Sequence, residues 1–218
     1  MTKRWQAWLS PRPSRRSNIA AEAEFTAVHG SALIQSFNDA DTGRWHVVET
    51  HYVGNKLARD GKSGPPLHIH IKQVEYFEVM QGVMAVDING TQHRLTRESG
   101  RVTVPRGARH RFWVHPDSQE DLVFRFDTDP QDVDNIFDER YLKNSLGYIA
   151  DCGREGLVPS FPQLLLMNID HGTVFTPPFW LPIWMLVAFH HVVGYWIGGR
   201  ILGYKSSYPE YSDDPRAR

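Results

Sequence analysis

The chain has 218 residues, 41% of them hydrophobic and 22% charged, with a net charge of −1. These values fit a globular chain with one sizeable core and an appendage. They exclude the strong positive field that draws a chain onto nucleic acid. A single cysteine, Cys152, leaves no intrachain disulfide and predicts a reducing, cytoplasmic setting.

Residues 1–22 read as a basic, flexible arm. Its first sixteen residues hold Lys3, Arg4, Arg12, Arg15 and Arg16 without an acid, interleaved with Trp5 and Trp8. The start lacks the apolar core of a secretory signal, and its basic, aromatic mix also suits a membrane surface.

Residues 23–129 change to short apolar runs with period-two alternation, the signature of half-buried strands. Eight such runs, among them 44–53, 66–71, 75–80, 110–115 and 121–128, are separated by turn residues. Asn89-Gly90 joins two of them and is a strong hairpin signal. This spacing predicts a mainly β domain, an antiparallel sandwich or closed barrel.

Residues 130–205 read as a helical extension. Val133, Ile136, Phe137, Tyr141 and Leu142 repeat at helical spacing before Gly153, and a second segment covers 161–172. From 174 to 199 no Asp, Glu, Lys or Arg occurs. That length suffices to cross a bilayer, but Pro177, Pro178 and Pro182 crowd its start and His190 and His191 its middle, where polar groups are costly in lipid. Three readings fit: a helix packed on the barrel or in a homodimer interface, an in-plane membrane anchor, and a spanning helix. Residues 206–218 form a polar tail.

The chemistry concentrates in "PPLHIHIKQVEYFEVMQG", residues 65–82. Alternate residues of a strand share a face and lie about 7 Å apart, so His68 and His70 project together and can reach one ion. Glu75 follows a short bend, and His110 opens the strand after the turn residues Pro105 and Gly107. Three imidazoles and a carboxylate leave two positions open on an octahedral ion, which suits a metal that must also bind substrate or dioxygen.

From about Thr50 to Thr128 these residues resemble the cupin superfamily. His68, His70, Glu75 and Gly82 stand in register with its first motif, and Pro105, Gly107 and His110 with its second. Three positions depart: Lys62 replaces the leading glycine of the first motif, Gly100 stands one residue closer than usual to Pro105 in the second, and Val114 replaces its closing asparagine. The resemblance implies a single antiparallel jelly-roll β-barrel with His68, His70, Glu75 and His110 as ligands to one divalent transition metal. Iron leads among the candidates, with manganese, nickel and zinc behind it.

Around that set, Glu49 and His51 share one face of the strand at 44–53, and with Tyr76 they are the candidate catalytic residues. The phenylalanines at 77, 112, 124 and 126 predict an apolar or aromatic small-molecule substrate. The reading is a metal-dependent cupin oxygenase or oxidoreductase, dioxygenase-like with iron. A Lewis-acid isomerase or decarboxylase and a non-catalytic small-molecule binder attached to a membrane are the alternatives.

Overall fold

In the computed structural model, which describes residue 10 and residues 12–213, two compact units are present. One spans residues 23–134; the other joins the described residues before 23 to those from 135 onward. Lys3, Arg4, Trp5, Trp8 and residues 214–218 of the tail lie outside the described residues.

The first unit is the barrel. Its strands are β1 (Glu24–Ala27), β2 (Ala32–Asn38), β3 (Trp45–His51), β4 (His68–His70), β5 (Val74–Gln81), β6 (Met84–Ile88), β7 (Thr91–Leu95), β8 (Arg101–Val104), β9 (His110–Val114) and β10 (Leu122–Asp129). A short helix, α1 (Lys56–Arg59), sits between β3 and β4, capped by the Asn55 side chain. One sheet has the order β1-β2-β3-β10-β5-β8, and in the other β4, β9, β6 and β7 lie side by side. Neighbours distant in sequence, such as β3 with β10 and β4 with β9, pair antiparallel, which is the jelly-roll connectivity of a cupin barrel.

Period-two alternation decides what faces inward. Along β3, Trp45, Val47, Glu49 and His51 are buried and the residues between them are not. On β5 the buried set is Glu75, Phe77 and Val79. Phe77 and Phe124 come from one sheet and Phe112 from the other, and their rings meet at centroid separations of 5.0 to 6.0 Å. Each such ring removed from water contributes about 1.5–3 kcal/mol, so these residues join the sheets face to face. The hairpin at Asn89-Gly90 forms as its sequence predicts, with φ of 53° and 83° at the two corner residues. Gly82 turns the chain between β5 and β6 with φ of 76°. A Cβ there would stand 2.7 Å from the Asp121 carbonyl oxygen, so the position excludes other side chains on two grounds.

The second unit contains α2 (Glu139–Arg154), α3 (Phe161–Asp170), a short strand β11 (Thr173–Phe175), and α4 (Ile183–His190) running into a π-helical stretch, His191–Ile201. The periodicity from Val133 predicts an earlier start for α2. Asp138 sets it instead, because its carboxylate accepts the Tyr141 backbone N–H at 2.9 Å and caps the first turn. Buried Asp151 on α2 accepts the Ser17 N–H and hydroxyl and the Tyr211 hydroxyl, at 2.7 to 2.8 Å. It thereby ties both ends of the described chain to one helix.

The stretch 174–199 does not form one helix. Pro177, Pro178 and Pro182 lack the donor that a helix interior needs, and the helical part starts only at Ile183. Among the described residues, no helix is long and apolar enough to cross a membrane. The spanning reading is therefore set aside.

Candidate metal centre

Three barrel strands and one loop build the cluster. His68 and His70 stand on β4, which has all three residues buried. His110 is the first residue of β9 and pairs directly with His68. Glu75 is inward on β5, opposite Thr128 on one side and Val104 on the other. The Gly107 N–H donates to the His70 carbonyl oxygen at 2.9 Å, so the turn before β9 is bonded directly to the strand carrying the first two histidines. One ligand atom from each of His68, His70, Glu75 and His110 falls within 4.8 Å of all the others.

The orientation of the rings is fixed from behind. His68 Nδ1 donates to the Pro66 carbonyl at 2.9 Å, and His110 Nδ1 to the Ala108 carbonyl at 3.0 Å. Each bond places the proton on Nδ1 and turns the Nε2 lone pair into the cluster, the arrangement that metal-ligating histidines require. Nε2 of His110 lies 2.8 Å from Oε2 of Glu75, yet neither atom has an aligned hydrogen bond. Buried polar atoms of this kind are costly unless something satisfies them. A nitrogen and a carboxylate oxygen, His110 Nε2 and Glu75 Oε2, that converge without an aligned bond fit a cation.

Electrostatics agree with that fit. Burial lowers the pKa of His68 well below the ordinary histidine value, and neighbouring His110 and His70 lower it further. Burial likewise lowers His70. Both rings are thus held neutral, with lone pairs available. For Glu75, burial opposes ionisation, but His110 and His70 beside it overcome that opposition and hold the carboxyl well below its usual range. Two neutral imidazole donors beside a stable carboxylate suit a divalent ion with nitrogen and oxygen ligands.

Glu49 and His51 do not join this cluster. His51 Nε2 contacts Glu49 Oε2 at 2.8 Å and Nδ1 contacts Ser63 Oγ at 2.7 Å, with all three residues buried. With Glu49 as the acceptor of Nε2–H, the other nitrogen of a neutral ring is left to accept the Ser63 hydroxyl proton. His51 meets the Phe112 and Phe124 rings at 5.9 and 5.7 Å. Phe112 and Phe77 in turn sit one inward position beyond His110 and Glu75 on their own strands. A layer of phenylalanine therefore stands between the Glu49–His51–Ser63 chain and the ligand set.

Ser63 is the member that sequence reasoning missed, since nothing in its spacing marks it. Its loop closes because Gly64 follows: a Cβ on Gly64 would fall 1.9 Å from the Phe112 carbonyl oxygen. Tyr76 goes to the opposite face of β5 from Glu75, with the Arg101 guanidinium 4.1 Å from its ring centre. The structure does not bring it to the cluster, because adjacent residues of a strand point to opposite sides.

No family model matches the chain. It is 50% identical over 211 residues to the probable oxidoreductase virH of Hypocrea virens, covering 97% of this chain and 95% of that one. To the oxidoreductase iacF of Pestalotiopsis fici it is 43% identical over 202 residues, 91% and 98% of the two chains. A more partial match, 39% over 160 residues, is to the epoxidase atD of Aspergillus terreus, covering 69% of this chain and 48% of that one. The first two matches run nearly the full length of both partners.

Proposed function

Because the chain belongs to the same family as the oxidoreductases virH and iacF and folds as a cupin barrel, we propose that it is a metal-dependent oxygenase acting on a small, largely apolar or aromatic molecule. One observation carries the proposal: His68, His70, Glu75 and His110 converge, buried, inside a barrel whose neighbouring layer is phenylalanine. His68, His70 and His110 would hold the ion through nitrogen and Glu75 through oxygen, with iron first among the metals. When bound, the ion supplies the redox chemistry and Lewis acidity that oxidation of an organic molecule by dioxygen needs.

The protein's own part is positioning. The bonds from Pro66 and Ala108 hold the imidazoles in one tautomer. Phe77 and Phe112 present an apolar wall beside the ligands and exclude water from them. Glu49, His51 and Ser63 support that wall from behind as positioning residues, and Tyr76, on the outer face, takes no part. The similarity to the Aspergillus terreus epoxidase atD supports chemistry that adds an oxygen atom. Buried Cys152, its thiol pKa raised chiefly by burial, is consistent with a reducing cytoplasmic setting.

The test is metal analysis of the purified chain by mass spectrometry, then oxygen uptake after loading with Fe(II), Mn(II), Ni(II) or Zn(II). A panel of phenols, keto acids and apolar alkenes serves as substrate. Uptake with iron and a product gaining oxygen is the expected result. Turnover without oxygen consumption would move the reading to a Lewis-acid isomerase or decarboxylase. Metal binding with no turnover across the panel would favour a small-molecule binder.

A further inference from the structure

The helix from Ile183 to Ile201 is apolar around most of its circumference, and no charged residue occurs between 171 and 199. A helix of that kind is ordinarily enclosed by protein or lipid. Here only Leu186, His190, Gly194 and Gly198 are buried, a stripe with one residue in every four. The stripe packs by backbone approach: a Cβ on Gly194 would lie 2.9 Å from the Leu166 nitrogen, and one on Gly198 2.8 Å from the Pro162 oxygen. Gly194 and Gly198 thus face α3, where the Tyr195 hydroxyl also donates to Asp170 and the Phe189 ring meets that of Phe161, while most of the large side chains stay exposed.

What stays exposed is aromatic at both ends and aliphatic or phenyl between them. Trp180 and Trp184 at the amino end are 77% and 70% exposed, and Trp196 near the carboxyl end is 61% exposed. Ile183, Met185, Phe189 and Val192 are exposed between them. A contiguous apolar face of this extent marks an interaction surface. Tryptophan flanking an apolar middle is the pattern of a helix lying in a membrane interface.

The charge at the carboxyl end is positive. Arg200 is exposed and stacks 5.2 Å from the Trp196 ring, and Lys205 is exposed three residues beyond the helix neighbour Leu202. The Arg12 guanidinium lies 4.2 Å over the Tyr204 ring and donates to the Leu202 carbonyl. A cavity of about 410 Å³ opens at this end, with walls that include Tyr195, Trp196, Arg200, Tyr204 and Ser206. One cation and a hydroxyl beside aromatic walls suit a phosphate-bearing headgroup. The charge balance of the two units differs in the same direction. Among the described residues, the unit outside the barrel carries eight Lys and Arg against eight Asp and Glu, whereas residues 23–134 carry twelve against sixteen. Among those residues the unit with the apolar face is therefore balanced and the barrel unit acidic.

We propose that this face docks in the plane of an anionic lipid bilayer. The large side chains from Phe179 to Ile201 enter the headgroup and acyl boundary, and the cavity at Arg200 receives a lipid phosphate. Basic charge attracts the unit to the surface, and apolar burial then holds it there.

The experiment is flotation of the full chain with vesicles of phosphatidylcholine alone and of phosphatidylcholine with three-tenths phosphatidylserine. Expected is co-flotation with the anionic vesicles, at least tenfold less with the neutral ones, and weakening as salt rises. Trp184→Ser with Trp196→Ser should reduce partitioning at least tenfold. Arg200→Gln should reduce it several-fold on anionic vesicles only. Circular dichroism and metal content identical to the parent chain establish that each variant is folded. Should the double variant not fold, Trp180→Ser, which lies before the helix, takes its place. The proposal is overturned if the parent chain floats with neither vesicle, if folded variants float as well as the parent, or if light scattering shows a dimer that the tryptophan changes dissociate while vesicles have no effect. That last result would assign the face to a second copy of the chain.

Discussion

The barrel unit takes Glu49, His51, Ser63, His68, His70, Glu75 and His110 out of water, whereas the second unit leaves Trp180, Trp184, Phe189 and Trp196 in it. Each breaks the usual sorting of side chains, in opposite senses. Inside the barrel the cost is that of polar groups taken out of water, least compensated at His110 Nε2 and Glu75 Oε2, which lack an aligned bond. On the helix it is apolar area that folding has not removed from water. The two costs point to different kinds of ligand: a cation for converging lone pairs, and a greasy, negatively charged surface for exposed rings beside arginine. The second unit also contains the opposite arrangement at Asp151, a buried carboxylate with bonds from Ser17 and Tyr211. A fully satisfied group of that kind needs no ligand and supports the fold alone.

The largest effects are expected at the candidate ligands. His70→Ala and Glu75→Ala each remove one donor of four, and metal content measured by mass spectrometry should fall from about one ion per chain to under about a tenth, with oxygen uptake lost. Unchanged metal content in both variants would show that the cluster is a packed polar core. Asp151→Ala should do the reverse. It strands the Tyr211 hydroxyl and the Ser17 donors and should cost about 3 kcal/mol of unfolding free energy in urea, while metal content stays at the parent value.

Most of the candidate cluster was legible in the sequence because strands have period two: His68 and His70 must share a face, Glu75 follows the short bend after them, and Pro105 and Gly107 announce the turn that presents His110. The same rule also placed Glu49 and His51 together, and it placed Tyr76 opposite Glu75. Proposing Tyr76 beside the ligands set that parity aside. Ser63 was not legible, since a loop residue twelve positions from His51 has no period to locate it. In the carboxyl-terminal region the three prolines announced where the helix could not begin. Hydropathy alone cannot say which side of an apolar helix meets protein, and that answer came from Gly194 and Gly198, whose missing side chains let α3 approach.

Smaller effects separate support from ligation within the barrel. Ser63→Ala and Glu49→Gln each weaken the hydrogen bonding of buried His51, and each should cost about 1–2 kcal/mol in urea unfolding. Metal content should remain at the parent level, because neither residue touches the ligand set. A loss of metal in either variant would merge the two groups that the phenylalanine layer divides.

Acid should expose the neutral state of the histidines in the metal-free chain. The pKa of His68 is held below its ordinary value by burial and by the two neighbouring rings. Below about pH 6.5 the unfolded chain therefore takes up a proton that the folded chain refuses. Its share of stability is full above that pH and falls by about 1.4 kcal/mol per unit until the lowered folded value is reached. Glu75 acts in a lower window: its carboxylate, held down by His110 and His70 against burial, contributes stability that is lost as the pH falls below the ordinary value of 4.5. Urea midpoints of the chelated chain at pH 7.5 and 5.5 should show the histidine contribution, and His68→Asn should reduce the difference. Midpoints that match at the two pH values would mean the folded barrel accepts the proton, and the site would then lack its neutral donors.

Tyr76→Phe should have the smallest effect. The ring under Arg101 is retained, so the cation–π contact at 4.1 Å survives, and only the hydroxyl on the outer face of β5 is lost. Stability should stay within about 0.5 kcal/mol of the parent, as for surface changes away from special features, and metal content and oxygen uptake should remain unchanged. A fall of tenfold or more in uptake at constant metal content would mean that the Tyr76 hydroxyl reaches the reacting molecule. The inward face of β5 would then not be the only one that matters, and the division between the outer surface and the ligand-bearing interior would have to be redrawn.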